Sequence, residues 1–306
     1  MGAYLARRGI GSAAVIVGLL VFTFFATHYI GDPVELLVDR ELSSNADYEA
    51  IRAAGGFDRS LPEQFVDYTG RVLRGDFGTS LWQNRPASEV VLERVPSSLL
   101  LGGLTLGFTC LVAIPLSIAG ARSSGRWPSA VVTTTAAALS SITPFWLALT
   151  LIVVFAVRLS ILPTSGTGNW THVVLPVLAL SAQPIGRLTQ VLQATLSQEM
   201  RNQYVQTARA KGVRERQVVF RHVLRNSAIV AVTLLGGLLI SLINGAVLVE
   251  AIFAWPGLGD ISLEAVRRRD LPVLTAAVFF IGVGVTAVNF AVDVAYVALD
   301  PRVRLR

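Results

Sequence analysis

Few residues in this chain are placed for catalysis. The three histidines, His28, His172 and His222, are far apart in sequence and none is spaced to share a metal ion with another, so each reads as an ordinary polar residue. The single cysteine, Cys110, lies inside an apolar run, which excludes an internal disulfide or a thiolate metal cluster. No G-x-S-x-G turn is present to raise a nucleophilic serine. The only lysine, Lys211, is followed by Gly212 and Val213 and lacks the glycine loop that cradles phosphates, so the chain cannot hold ATP in the P-loop manner. What remains is one basic tract, 204–226, carrying Arg209, Lys211, Arg214, Glu215, Arg216, Arg221 and Arg225 together with the small residues Ala208, Ala210 and Gly212. Its chemistry is recognition: cationic donors that face a partner in water, and a surface low enough for another backbone to come close. The chain is expected to be no enzyme.

The elements that position this tract follow from local signals. A short helix is expected from about 204 to 211, ending at Gly212, where a residue without a Cβ can take the left-handed conformation; a second helix then leads into the next apolar run. The tract is a helix-turn-helix knob, and it stands out because the rest of the chain is so apolar. Of 306 residues 53% are hydrophobic and 15% charged, too few charges for a soluble protein of this size. Six windows of at least 22 residues contain no Asp, Glu, Lys or Arg: 9–31, 95–121, 127–157, 159–186, 226–249 and 271–292. Each is long enough to cross about 30 Å of hydrocarbon as a helix, which takes roughly 20 residues. None alternates with period two as a barrel strand would, so the expectation is an all-α integral membrane protein of six transmembrane helices.

The net charge of +6 is sorted by loop rather than gathered into a nucleic-acid face. Arg7, Arg8, Arg122, Arg126, Arg187, Arg201, the cluster 209–225 and Arg302, Arg304 and Arg306 fall on one side with only Glu199, Glu215 and Asp300 against them. The excess of basic residues in short loops marks the cytoplasmic face, so both termini are expected inside and 31–95 outside. Arg267, Arg268 and Arg269 are the exception to this sorting. Arg7-Arg8 ahead of an apolar run resembles a signal peptide, but the run is long and no small-residue cleavage site follows, so it reads as a retained first helix.

The division expected is therefore 1–30 as N-terminus and first helix, 31–95 as a small helical extracytoplasmic segment between helices 1 and 2, and 96–306 as a core with helices 2–6 and a cytoplasmic loop at 200–226. In the outer segment, Gly31-Asp-Pro33 stops helix 1, a helix runs from Asn45 through Ala54 with Gly55-Gly56 as its stop, and Ser60-Leu-Pro-Glu63 forms a capping box for a helix whose apolar face is Leu61, Phe65, Tyr68 and Val72 and which ends at Gly75. Helix 3 carries Ser141, Thr143, Pro144 and Trp146 in a proline-broken polar patch. It is either a packing kink whose carbonyls are satisfied by hydroxyls or the wall of a translocation path. Helix 4 contains Pro176, Pro184 and Arg187; the arginine either snorkels inward or lines a wet cavity. The tract 251–259 reads as an outer, re-entrant segment with Trp255 at the interfacial belt. Asn289 and Asp293 share a face near the end of helix 6, where a structural and a functional role are both open.

Gln206-Thr-Ala208, then Gly212 and Leu224, resembles the cytoplasmic "EAA…G" loop of ABC importer permeases. The wording of 204–212 and 221–226 is similar to the dipeptide/oligopeptide branch, with Gln206 where the general signature has Glu and Arg225 where it has Pro. Gly75-Asp-Phe-Gly-Thr-Ser80, the tract 251–259 and Asp300-Pro-Arg-Val-Arg304 resemble the same family, and in particular the first of its two permease subunits. The resemblance implies the type I ABC importer permease fold in the inner (plasma) membrane of a prokaryote. It implies coupling to ATPase chains through Gln206, Thr207, Ala208, Arg209, Ala210, Lys211 and Gly212, with Ser141, Thr143, Pro144 and Arg187 as candidates for the path. The implied partners are a second permease subunit, two ATPase subunits or a fused pair, an extracytoplasmic solute-binding protein, membrane lipid and a di- or oligopeptide solute, with no nucleic acid. No cofactor is expected in this chain, since ATP and Mg are held by the ATPase partners. Haem, nickel or glutathione are alternative solutes of such importers. A self-sufficient ion-coupled transporter would want buried carboxylates deep in the membrane, and only Asp293, near a helix end, is available.

Overall fold

The computed structural model describes residues 2–30 and 59–299, and among these the fold is helical, with one isolated bridge between Thr79 and Pro86. The expected stop at Gly31-Asp-Pro33, the helix from Asn45 to Ala54 with its Gly55-Gly56 stop, and the 300–304 ending lie outside the described residues. The described residues divide into two compact units, one of 98–255 with 288–299, the other of 2–30 and 59–97 with 256–287.

In the second of these units, α1 (Gly2–Ile30) meets α2 (Leu61–Leu73) through Thr23 Oγ1 and Tyr68 OH, 2.8 Å apart, and through the ring of Phe24 against Phe65 and Tyr68. The capping box is present: the Ser60 backbone N–H donates to Glu63 Oε2 at 3.1 Å, with Pro62 in the first turn. Gly75, at φ 80°, closes the far end, its N–H donating to Val72 O and that of Asp76 to Arg71 O, which is a Schellman pair. The turn that follows explains its own sequence. Asp76 Oδ1 accepts from Gly78 N–H at 2.9 Å, Phe77 stacks against Phe279 and Phe280, and the Ser80 hydroxyl donates to Asp270. Short α3 (Ala87–Leu92) packs Ala87, Val90 and Val91 against Ile261 and Ala265 of α11 (Leu258–Arg268) and Val273 and Ala276 of α12 (Leu271–Leu299).

Asp270 is 2% exposed and is the knot of this unit. Besides the Ser80 hydroxyl it accepts from Val273 N–H at 3.3 Å, capping α12, and from Trp82 N–H at 3.4 Å. Asp270→Ala would leave two buried donors and one part-buried donor without their acceptor, so it is expected to destabilise the protein by about 2–4 kcal/mol and lower the thermal midpoint in detergent, whereas Asp76→Ala, on the surface, should cost below about 1 kcal/mol.

In the other unit, α4 (Val95–Arg122), α5 (Trp127–Ser141), α6 (Pro144–Leu151) and α10 (Leu224–Ile252) gather around α7 (Thr171–Glu199), of whose 29 residues fifteen are buried, which makes α7 the hub. The expected single helix 3 is two helices. Ile142 and Thr143 are extended, at ψ 127° and 136°, and α5 and α6 meet at 95°; α6 then runs on as a π-helix over Ile152–Arg158. The cause is Pro144, which lacks an N–H and drives the preceding residue out of the helical region, so a break replaces the expected kink.

Among the described residues three stretches are helical, long and apolar enough to cross a membrane, Arg8–Phe25, Ala87–Arg122 and Leu271–Val294, and two bent pairs bring the number to as many as five. The hub α7 is outside this set because Gln183, Arg187, Gln190 and Gln193 dilute its apolar run. Trp255, expected at the interfacial belt, is held inside the protein rather than on its surface. Ala254, at φ 47°, takes the left-handed turn after α10, the Trp255 N–H donates to Glu250 O at 2.8 Å, and the indole is buried with Phe253 and Leu101 in the apolar core.

Candidate functional site

The basic knob begins at α8 (Gln203–Ala210), whose N-cap Asn202 is extended at ψ 149° and whose C-cap is Lys211. Gly212 follows at φ 72°; its N–H donates to Arg209 O at 2.9 Å and that of Val213 to Ala208 O at 3.2 Å. Those two bonds are the complete Schellman motif, with glycine at the position that requires positive φ. A Cβ at Gly212 would meet nothing within 4 Å, so it is the backbone angle and not internal crowding that calls for glycine. Arg214 is extended and α9 (Glu215–Gln217) starts the return, continuing as a π-helix over Val218–Val223 into α10.

One residue pins α8 to the membrane helices. Val205 is fully buried among Ile118 and Ala121 of α4, Leu192 and Leu196 of α7, and Val218, Val219 and Val223 of the return. Around it lies a polar clamp that the sequence reading did not single out. The Glu199 carboxylate accepts from Tyr204 OH at 2.6 Å and Asn202 Nδ2 at 3.0 Å, and Asn226 Nδ2 donates to Tyr204 OH at 3.1 Å. Asn202 is legible as a helix cap, but nothing local links Tyr204 to a residue 22 positions on. Burial raises the Tyr204 phenol above its ordinary range, helped by the Glu199 carboxylate, so the hydroxyl stays a donor.

Of the expected coupling residues, Gln206, Thr207, Arg209, Ala210, Lys211 and Gly212 are exposed together on the tip, while Ala208 is half-buried against the Val205 cluster. The small residue that leaves the tip open is therefore Ala210, and Ala208 is small because it faces its own protein. The Gln206 amide donates to Arg201 O at 3.3 Å and Thr207 Oγ1 to Gln203 O at 2.9 Å. Arg209 grips Glu215 with two bonds, Nε to Oε2 at 3.1 Å and Nη2 to Oε1 at 2.7 Å, closing the turn with a fork. That hydrogen-bonded guanidinium holds the Glu215 carboxyl below the usual carboxylate range. Both side chains are 43% exposed, so the pair contributes below about 1 kcal/mol, in full above the pH where a free glutamate protonates and lost as the pH falls through the lowered range of Glu215. Lys211 and Arg214 remain as outward cations at the tip.

The expected path residues gather at the α5–α6 break. Ser141 Oγ donates back to Ala137 O at 2.9 Å, Thr143 makes no side-chain capping bond, and Pro144 opens α6. Gln190 Nε2 donates to Ser140 Oγ at 3.2 Å and Gln183 Nε2 reaches Ser140 O at 3.5 Å. Between those glutamines Gly186 touches the backbone of Ala136 and Ser140 so closely that a Cβ there would overlap it, and the next residue, Arg187, is exposed. The structure thus brings the break and the arginine of α7 to one place in the fold.

A family model of binding-protein-dependent transport system inner membrane components matches residues 113–305. Among curated proteins, a glutathione transport system permease protein GsiC from Pectobacterium atrosepticum is 33% identical over 304 residues, covering 99% of both chains. The proteins of that name from Salmonella typhimurium and Escherichia coli are 34% and 33% identical over the same length, again with 99% coverage of each. Among solved structures, a chain of the MetNI methionine ABC transporter in an inward facing conformation matches with a TM-score of 0.57 and 17% identity, over 69% of this chain and 96% of that one; the likeness is one of fold.

Proposed function

Because the chain belongs to the family of binding-protein-dependent transport system inner membrane components, as an ABC importer permease of the dipeptide/oligopeptide type, we propose that it forms one half of a peptide path and couples it to ATPase subunits through the knob at 204–226. The observation that carries the reading is the tip itself: a Schellman-closed turn with exposed Ala210, Lys211 and Gly212, anchored by Val205 to two of the long helices, so that a push on the tip is delivered to α4 and α7. The six spans of this reading are α1, α4, the broken pair α5–α6, the hub α7, α10 and α12. Both termini and the knob lie in the cytoplasm, and 31–95 and α11 lie outside. A second permease completes the path, two ATPase subunits or a fused pair supply ATP and Mg, and a binding protein delivers the solute.

The solute class is peptide, and glutathione, itself a tripeptide, is favoured within it by the names of relatives that match over the full length. Haem and nickel are the other cargoes of this architecture. The test is uptake by proteoliposomes holding this chain, the second permease and the ATPases, supplied with the binding protein. ATP-driven accumulation of glutathione or a short peptide is expected, with no ATP turnover by the isolated chain. Robust turnover by the chain alone contradicts the assignment. A cysteine at Arg214, after Cys110→Ser, should react with an impermeant maleimide only once the cytoplasmic side is opened.

A further inference from the structure

Arg187 sits in an unusual place. Pro184, Ile185, Gly186, Leu188 and Thr189 around it on α7 are all buried, and Arg187 alone in that stretch is exposed. At 1.5 Å per residue it lies about 24 Å from the Thr171 end of α7 and about 18 Å from the Glu199 end. No ion pair joins it to a carboxylate among the described residues. An unpaired guanidinium in a spanning helix is costly against lipid and inexpensive only where water or an anion meets it.

Its neighbours point to the second situation. Gln183 stands one turn before it and Gln190 about one turn after it, and both amides reach Ser140. Gly186 presses α7 against the backbone of Ser140, so Arg187 and Ser141 are each one residue from a tight backbone contact of the two helices. Ser141 and Thr143 are exposed at that break; the Thr143 hydroxyl caps nothing, and the Ser141 hydroxyl is already donated to its own helix. An arginine that merely reached along the helix for a membrane surface would need no polar rim on the side facing away from it.

We propose that Arg187 is the anchoring cation of an anion subsite in the translocation path, taking the carboxylate of the passing solute in the forked geometry that guanidinium and carboxylate share. The proposal rests on the permease reading and adds to it the chemical class the path selects: solutes that carry a carboxylate, as peptides do. Thr143 supplies a further donor at the rim, and Gln183 and Gln190 hold the break where the arginine can face it.

The experiment uses the assembled importer in proteoliposomes, with Cys110→Ser and Ser141→Cys in this chain, with and without ATP. The probes are two methanethiosulfonates of similar size, one bearing a sulfonate and one a trimethylammonium group, and N-ethylmaleimide as a neutral permeant control. With each rate divided by that of the same reagent with a small free thiol, which removes the intrinsic preference of an anionic thiolate for the cationic reagent, a cation beside the thiol concentrates the sulfonate, and its normalised rate is expected to be about tenfold that of the ammonium reagent. Arg187→Gln should bring the ratio to about one, and Arg187→Lys should keep most of it. Equal normalised rates with Arg187 present, or reaction with the maleimide alone, would overturn the proposal; the latter places the break in lipid, with the arginine reaching for phosphate headgroups. Thr143→Cys gives the same reading should Ser141→Cys not assemble. Stimulation of ATP hydrolysis by loaded binding protein in the unsubstituted importer reads the permease assignment separately, so either idea can fail while the other stands.

Discussion

Replacing Gly186 by valine is expected to leave little folded protein in the membrane. A Cβ at this position would fall inside 3.0 Å of the Ser140 Cα and overlap the Ala136 carbonyl oxygen and the Ser140 N–H, all backbone atoms of α5. A flexible side chain can swing aside, as Gln193 could for a Cβ at Gly120, but backbone can give way only if α5 moves off the hub as a body. Overpacking in an ordinary core costs about 1–3 kcal/mol; here the strain is added to loss of the α5–α7 contact, so the upper part of that range or more is expected, a large share of the stability of a typical domain. Gly186→Ala should show the same defect in milder form. Gly237→Ala is the control: a Cβ there meets nothing within 4 Å, and alanine favours a helix over glycine by about 1 kcal/mol, so that variant should be as stable as the parent or slightly more so. Membrane levels and thermal midpoints in detergent decide it. Parental values for Gly186→Val would mean that α5 and α7 do not meet as described.

Gly212→Val should give the opposite phenotype, a chain that inserts and assembles but does not couple. At φ 72° a β-branched residue is held in the left-handed region at a cost of about 1–2 kcal/mol, and relieving it means breaking the two Schellman bonds to the Ala208 and Arg209 carbonyls and moving the tip. A factor of ten in the population of the competent turn corresponds to about 1.4 kcal/mol, so uptake and the ATPase response to loaded binding protein should fall about tenfold or more. Gly212→Asn, which tolerates this conformation, should retain most of both. Ala210→Trp tests the other requirement: it leaves the turn intact but puts bulk on the exposed tip, and should uncouple as well. Ala208→Trp is a poorer probe, because its effect would come from pushing α8 off the Val205 cluster.

Features written within one turn of chain were legible from the residues. The glycine stop at 212, the capping box of Ser60 and Glu63 and the end of α2 at Gly75 each rest on hydrogen bonds between residues a few positions apart, and each stands where the pattern puts it. What was not legible depends on which distant element arrives. Ser80 binds Asp270 across 190 positions, Tyr204 meets Asn226 across 22, and no local pattern names such partners. Ala208 could be read as small for a partner's sake until the Arg122 end of α4 and the Glu199 end of α7 came to lie against it. The proline at 144 signalled the disturbance, but which helix receives α5 was not legible, because Gly186 meets Ala136 and Ser140 from 46 to 50 positions away in sequence. The hub departs from a lipid-like pattern for the same reason: a helix buried by other helices needs no lipid-like sequence, and α7 keeps its glutamines because Ser129, Thr133 and Ser140 receive them.

The central claim is that the tip of the knob is the surface on which ATPase subunits act, and the sequence supplies its own reporter. Lys211 is the only lysine in the chain and stands exposed at the tip. The purified importer is treated with a short amine-reactive cross-linker and the linked peptides are identified by mass spectrometry, with a one-ended reagent of the same chemistry measuring accessibility. Lys211 is expected to be linked to an ATPase subunit, and to react with the one-ended reagent several-fold more slowly in the assembled complex than in the isolated chain. A Lys211 that reacts equally fast in both, with no link to an ATPase chain, would contradict the claim.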